Sequence, residues 1–172
     1  MVSWWDAVAY YQLAHRYAPL DPHVNDQLGL LLYLNSPEDA SLSKEKGSLN
    51  SEYYLNRAIQ QRPTWPHSWA NLMLLKAMRT EMKSDFVYEL EKADKFGPWE
   101  PVVQMALLRA GMENWYRLQT EERIIVKDAV LRGLQSLSPG QADRIMKGLK
   151  IRNGQRMLCP FLLTGEFPDL CQ

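Results

Sequence analysis

The chain has 172 residues, and its 20 Lys and Arg balance 20 Asp and Glu, so the formal net charge is zero. That length suits one compact domain or one short repeat array, and 46% hydrophobic with 23% charged residues is the composition of a globular protein. A zero balance removes the basic field by which most nucleic-acid binders attract phosphates, and no cluster of Lys/Arg with interleaved aromatics replaces it. The longest strongly apolar run, Leu28 to Leu34, is far short of the ~20 residues that span a bilayer. Met1-Val-Ser-Trp-Trp-Asp6 lacks the charged and apolar regions of a signal peptide.

In chain order, helices are expected over Ser3–Tyr17, Pro22–Leu34, Asn50–Gln61, Pro66–Thr80, Ser84–Phe96, Pro101–Arg117, Glu121–Gln135 and Pro139–Leu149. Ser3 with Asp6, Ser84-Asp85, Thr120 before Glu121-Glu122 and Ser138-Pro139 with Gln141 are start signals, and Gly97 reads as a left-handed stop. Ser36 to Leu49, rich in Ser, Glu, Lys and Gly, reads as a surface loop. No alternating apolar run of strand length occurs, so the fold class is all-α: seven or eight antiparallel helices in one domain, residues 1–172, with a capping tail over 139–172.

A repeat organises these helices. Ala14-His-Arg-Tyr-Ala-Pro19-Leu-Asp-Pro22, Ala58-Ile-Gln-Gln-Arg-Pro63-Thr-Trp-Pro66 and Ala93-Asp-Lys-Phe-Gly-Pro98-Trp-Glu-Pro101 align without gaps. The first Pro cannot continue the preceding helix, and the second suits the first position of the next. The motif is therefore a helix-to-helix corner, used at 19–22, 63–66 and 98–101. Asp21 is a good N-cap; Trp65 and Glu100 are poor ones, which points to Thr64 as the cap of the second unit. Leu28, Leu72 and Leu107 share one register position after the corner, and Tyr11, Leu55 and Leu90 share one before it. Bulky residues at fixed helical offsets are what stacked helix pairs require.

Trp69 and Leu72, then Ala93 and Pro98, at a period near 34, resemble the tetratricopeptide repeat; Lys76 stands where that family usually has an aromatic, and Phe86 where it has a small residue. Arg62-Pro-Thr-Trp-Pro-His-Ser-Trp-Ala-Asn-Leu72, with Phe96-Gly-Pro-Trp-Glu-Pro-Val-Val-Gln104 and Trp115, resembles the VpsP-type proteins of bacterial polysaccharide-biosynthesis loci over roughly Tyr53 to Leu137. That resemblance implies an accessory factor of exopolysaccharide or capsule assembly. Its partners are then polysaccharide-assembly proteins, and its place is the inner membrane, on the periplasmic side if an upstream anchor exists; a cytoplasmic location is the alternative.

In the same register the first helix is the second member of a pair whose first member is missing. Trp4, Trp5 and Tyr10 then line a face without its usual neighbour, unless they fold onto the second helix; an upstream segment is one expectation, self-packing the other. Mapping the groove positions of the resembled repeat gives His23, Asp26, Leu30 and Tyr33, then His67, Ala70, Leu74 and Ala77, then Val102, Met105, Arg109 and Met112. This predicts a mostly apolar groove for a partner helix or for the chain's own apolar tail, Leu158–Leu163 and Phe167–Leu170.

Chemistry is sparse. His15, His23 and His67 stand at no metal-ligand spacing, and no P-loop, dinucleotide or G-x-S-x-G pattern occurs, so no metal, cofactor or catalytic residue is expected. Ser41-Leu-Ser-Lys44 spells S-x-x-K without its companion motifs. The acidic pairs Glu89/Glu91 and Glu121/Glu122 read as solvated faces and helix starts. Cys159 and Cys171 either close a terminal loop in an oxidising compartment or remain thiols. The functional expectation is a non-catalytic interaction adaptor. Its alternative is a carbohydrate-binding module that uses exposed faces among the six Trp residues, although Trp of this kind also fills gaps between stacked helices.

Overall fold

The computed structural model describes residues 3–34, 41–79, 84–136, 140 and 147. The chain forms α1 (Trp4–Tyr17), α2 (Pro22–Leu34), α3 (Ser41–Gln61), α4 (Pro66–Met78), α5 (Ser84–Phe96), α6 (Pro101–Glu113) and α7 (Thr120–Ser136), with a 3-10 turn over Trp115–Arg117. No strand occurs among the described residues. Each helix packs on the next; in addition α2 meets α4, α4 meets α6 and α5 meets α7. The result is a front row of α2, α4 and α6 backed by α3, α5 and α7, an all-α array in which one helix pair stacks on another. Of the expected helix over Pro139–Leu149 only Gly140 and Lys147 are described, both helical, and the apolar tail with Cys159 and Cys171 lies outside the described residues.

The three corners share one hydrogen-bond pattern, and it explains their spacing. The N–H groups of Ala18, Arg62 and Gly97 close the preceding helix on the carbonyls of Ala14, Ala58 and Ala93. The N–H groups of Asp21, Trp65 and Glu100 then fold back on the carbonyls of Ala18, Arg62 and Gly97, which puts each first Pro at the second position of a β-turn, where its fixed φ fits. A side chain three residues into the new helix seals the turn. Asn25 Nδ2, Trp69 Nε1 and Gln104 Nε2 donate to the carbonyls of Pro19, Pro63 and Pro98 at 3.1, 2.7 and 2.8 Å. Helices behind the front row reach the same carbonyls: Arg57 Nε donates to Pro19 and Arg132 Nε to Pro98. Asp21 caps α2 by accepting from the N–H groups of His23 and Val24. The cap position of α4 is Trp65 and not Thr64, and neither Trp65 nor Glu100 makes a side-chain cap bond. Proline at the first helical position has no N–H to satisfy, which lowers the need for one.

Glycine serves close approach here. A Cβ at Gly97 would lie 2.6 Å from the Pro66 Cβ, one corner against the next, and Gly97 does not have the positive φ of a left-handed stop. A Cβ at Gly29 would strike Leu55 of α3 at 2.7 Å, and Ser51 Oγ donates to the Gly29 carbonyl at 2.6 Å. These approaches bring α2 onto α3 and seat the core, in which Leu72, Leu107, Leu108, Phe86 and Leu90 are fully buried. Phe86 and Lys76, the two departures from the resembled repeat, are both inside. Lys76 Nζ meets Glu89 Oε1 between α4 and α5, with side chains 11% and 5% exposed. Glu89 is therefore not on a solvated face; only Glu91 of that pair is exposed.

Two boundaries move. The expected loop over Ser36–Leu49 is helical from Ser41, so α3 runs to 21 residues where its counterpart α5 has 13. Lys44, Glu45 and Lys46 are good helix formers, and their polarity reads equally as loop. The helix expected to reach Arg117 stops at Glu113, where Asn114 turns its Nδ2 back to the Ala110 carbonyl. The 3-10 turn that follows lets Trp115 and Leu118 point into the core.

Candidate functional site

The front row positions the predicted groove residues, and most of them face inward. Asp26 is 3% exposed and accepts from Ser68 Oγ at 2.7 Å and Asn71 Nδ2 at 3.3 Å, so it ties α2 to α4. The register row of Tyr33, Ala77 and Met112 is buried in all three helices. Leu74 and Met105 are partly buried against the core. His67 is half-buried beside Trp65, whose ring also carries the Arg62 guanidinium at 3.9 Å. Of the twelve groove residues, His23, Val102 and Arg109 are the ones that turn outward: His23 is exposed, Val102 is 63% exposed and the Arg109 side chain is 42% exposed.

The outward stripe is offset from the predicted one. On α2 and α4, Gln27 and Asn71 are more exposed than Asp26 and Ala70, and the row after Tyr33, Ala77 and Met112 (Leu34, Met78 and Glu113) is exposed throughout. Apart from Val102, the groove expected to be apolar thus has its apolar residues in or against the core, because α2 and α4 are rotated to bury the register positions of Asp26 and Tyr33. What remains on the surface is mixed: His23, Gln27, Asn71, Met78, Val102, Arg109 and Glu113.

Tyr33, Met78, Arg109 and Glu113 come together toward the C-terminal ends of α2, α4 and α6. Tyr33 Oη donates to Met78 Sδ, and Arg109 Nη2 approaches the same sulfur at 3.8 Å. Arg109 Nε donates to Glu113 Oε1 at 3.3 Å, one helical turn on. Burial pushes the Tyr33 phenol up; the Arg109 cation pulls it down and the Glu113 carboxylate pushes it up. Three front-row helices therefore share one locus. Beside it opens a pocket of about 390 Å³ lined by Ala77, Met78, Glu113, Asn114, Tyr116 and Arg117. Tyr116 is 82% exposed at its rim, and Asn114 Nδ2 reaches the Ala77 carbonyl across the floor. A sulfur, an aromatic ring and opposite charges around one cavity suit a bulky side chain with a polar tip.

The predicted groove positions omit Met78, Glu113, Asn114, Tyr116 and Arg117 of this site. The signal for Met78 was present: Leu30–Leu34, Leu74–Met78 and Arg109–Glu113 are i, i+4 pairs in the same register. Tyr116 and Arg117 sit on a turn that no periodicity announces. The Trp residues divide. Trp69 and Trp115 are core, 8% and 5% exposed, whereas Trp5 and Trp99 are 74% and 63% exposed. Among the described residues no group of three His, Cys, Asp or Glu could hold a metal ion, and no helix is long and apolar enough to cross a membrane.

Fold and face together define a helical repeat protein with a mixed, partly aromatic front surface. No known protein family, curated protein or solved structure matches this chain.

Proposed function

We propose that this protein is a non-catalytic interaction adaptor that presents its front row to a protein partner. The observation that carries this reading is the pocket between the ends of α4 and α6, with Met78 and Tyr116 exposed on its rim and Arg109 and Glu113 beside it. Interfaces draw most of their energy from a few aromatic, Met and Arg anchors around such a cavity. The resemblance of Tyr53–Leu137 to VpsP-type proteins directs the proposal to surface-polysaccharide assembly, and any tie to the inner membrane then runs through a membrane-embedded partner or an anchor.

The test is capture of polysaccharide-assembly proteins from a polysaccharide-producing host on immobilised protein, compared with M78E and Y116A. Both side chains are about half exposed or more, so the helical spectrum should persist while partner recovery falls at least about tenfold. Equal recovery by both variants refutes the front-row site, and no captured assembly protein refutes the polysaccharide role. The exposure of Trp99 favours one second reading, glycan stacking. Saturable quenching of Trp fluorescence by the host polysaccharide, abolished in W99A, would establish it.

A further inference from the structure

The outer face of α1 carries an exposed apolar stripe. Trp5, Ala9, Leu13 and Tyr17 recur every fourth residue and are exposed, and Tyr10 precedes Tyr17 by two turns. Trp5, Tyr10, Leu13, Tyr17 and the adjoining Leu20 are 74%, 70%, 50%, 84% and 70% exposed. The inner face is engaged: Trp4 Nε1 donates to the Leu31 carbonyl of α2, and His15 packs edge-on to Tyr54 of α3. The repeat register shows the shortfall. Ser51, Leu55 and Ala58 of α3, and Phe86, Leu90 and Ala93 of α5, are wholly buried. Their counterparts Ala7, Tyr11 and Ala14 are only half-buried.

We propose that a second copy of this chain covers this face, through a twofold antiparallel pairing of the two α1 helices centred at the level of Tyr11. Area is the first argument. Taking about 200 Å² for a large aromatic, the five side chains leave roughly 700 Å² bare. That exceeds the ~300–600 Å² of the largest patch on an ordinary monomer and approaches the ~800 Å² that each partner gives to a stable interface. Charge is the second. An antiparallel pair centred at Tyr11 sets residue 5 against 17, 6 against 16 and 9 against 13. Trp5 then meets the partner's Tyr17, Ala9 meets the partner's Leu13, and Asp6 meets the partner's Arg16, each contact occurring twice by symmetry. Asp6 and Arg16 are both exposed, and both hydrogen bonds from Ser3 reach Oδ2 of Asp6, leaving Oδ1 to a guanidinium. A parallel pair would oppose Asp6 to Asp6 and Arg16 to Arg16. Zero net charge also leaves no long-range repulsion between copies. The dimer would present two front rows to a partner with two sites, raising avidity without new contacts.

Sedimentation equilibrium of the full chain tests this. The wild type should show twice the 20.0 kDa chain mass by about 100 µM, and L13E/Y17E should sediment as a monomer with unchanged helical circular dichroism. R16D should weaken the dimer at least about tenfold, since it sets the new carboxylate against Asp6. A wild type that stays monomeric to about 100 µM overturns the proposal. So does an L13E/Y17E variant that dimerises as tightly as the wild type. An R16D variant of unaltered affinity overturns the antiparallel register.

Discussion

Replacing Lys76 with methionine removes the cation from a carboxylate that is almost out of reach of water. Glu89 is 4% exposed, Lys76 is 9% exposed, and their charged atoms are 2.5 Å apart between α4 and α5. Desolvation of two ions is expensive, so the pair is close to break-even as a whole, whereas deleting one member of a buried pair is strongly destabilising. K76M should therefore cost about 3–5 kcal/mol, and E89L a similar amount. At about 2–4 °C per kcal/mol for a chain of this size, each single variant should melt roughly 6–20 °C lower. K76M/E89L puts two apolar chains in a site walled by core residues and should return to within about 1 kcal/mol of the wild type, or exceed it. Urea unfolding followed by far-UV circular dichroism gives all four corners of the cycle, provided the denaturant slope stays constant. A K76M variant within about 0.5 kcal/mol of the wild type refutes the buried pair. A double variant as unstable as the worse single one refutes the claim that shape alone can replace it.

Three further predictions concern the corners and the first cap. G97A should lose about 1–3 kcal/mol because its Cβ meets Pro66, and G97N should be no better; an asparagine that restores stability would indicate a left-handed stop after all. W69A should cost about 3–5 kcal/mol in chemical unfolding, since it empties a core site and frees the Pro63 carbonyl; a fully stable W69A would move Trp69 out of the core. The Asp6 carboxylate is held below its ordinary value of 3.8 by hydrogen bonds from the Ser3 side chain and backbone. A depressed folded-state pKa adds stability that is present above 3.8 and lost as pH falls through the folded value, so α1 should fray from its N-terminus in acid. In S3A the Asp6 titration, read by NMR, should move up toward 3.8; no movement refutes the capping box.

Local chemistry decided the elements of this protein. Proline removes an N–H and fixes φ wherever it stands, so the three corners and the starts of α2, α4 and α6 were legible from the chain alone. The clamps from Asn25, Trp69 and Gln104 were half-legible: three residue types share one register position, and only their common side-chain N–H unites them. The rotation of each helix about its axis was not legible. It depends on close approaches such as Gly29 to Leu55 and on the pairings of Asp26 with Ser68 and Lys76 with Glu89, all between distant parts of the chain. About 100° of rotation separates one residue from the next, enough to turn the predicted groove residues Asp26 and Tyr33 inward and Leu34 and Met78 outward. Composition and proline spacing are thus sufficient to specify an all-α repeat of zero net charge and the places of its corners. Which stripe faces water emerges on packing alone, because a side chain's exposure is set by the neighbours that other segments supply.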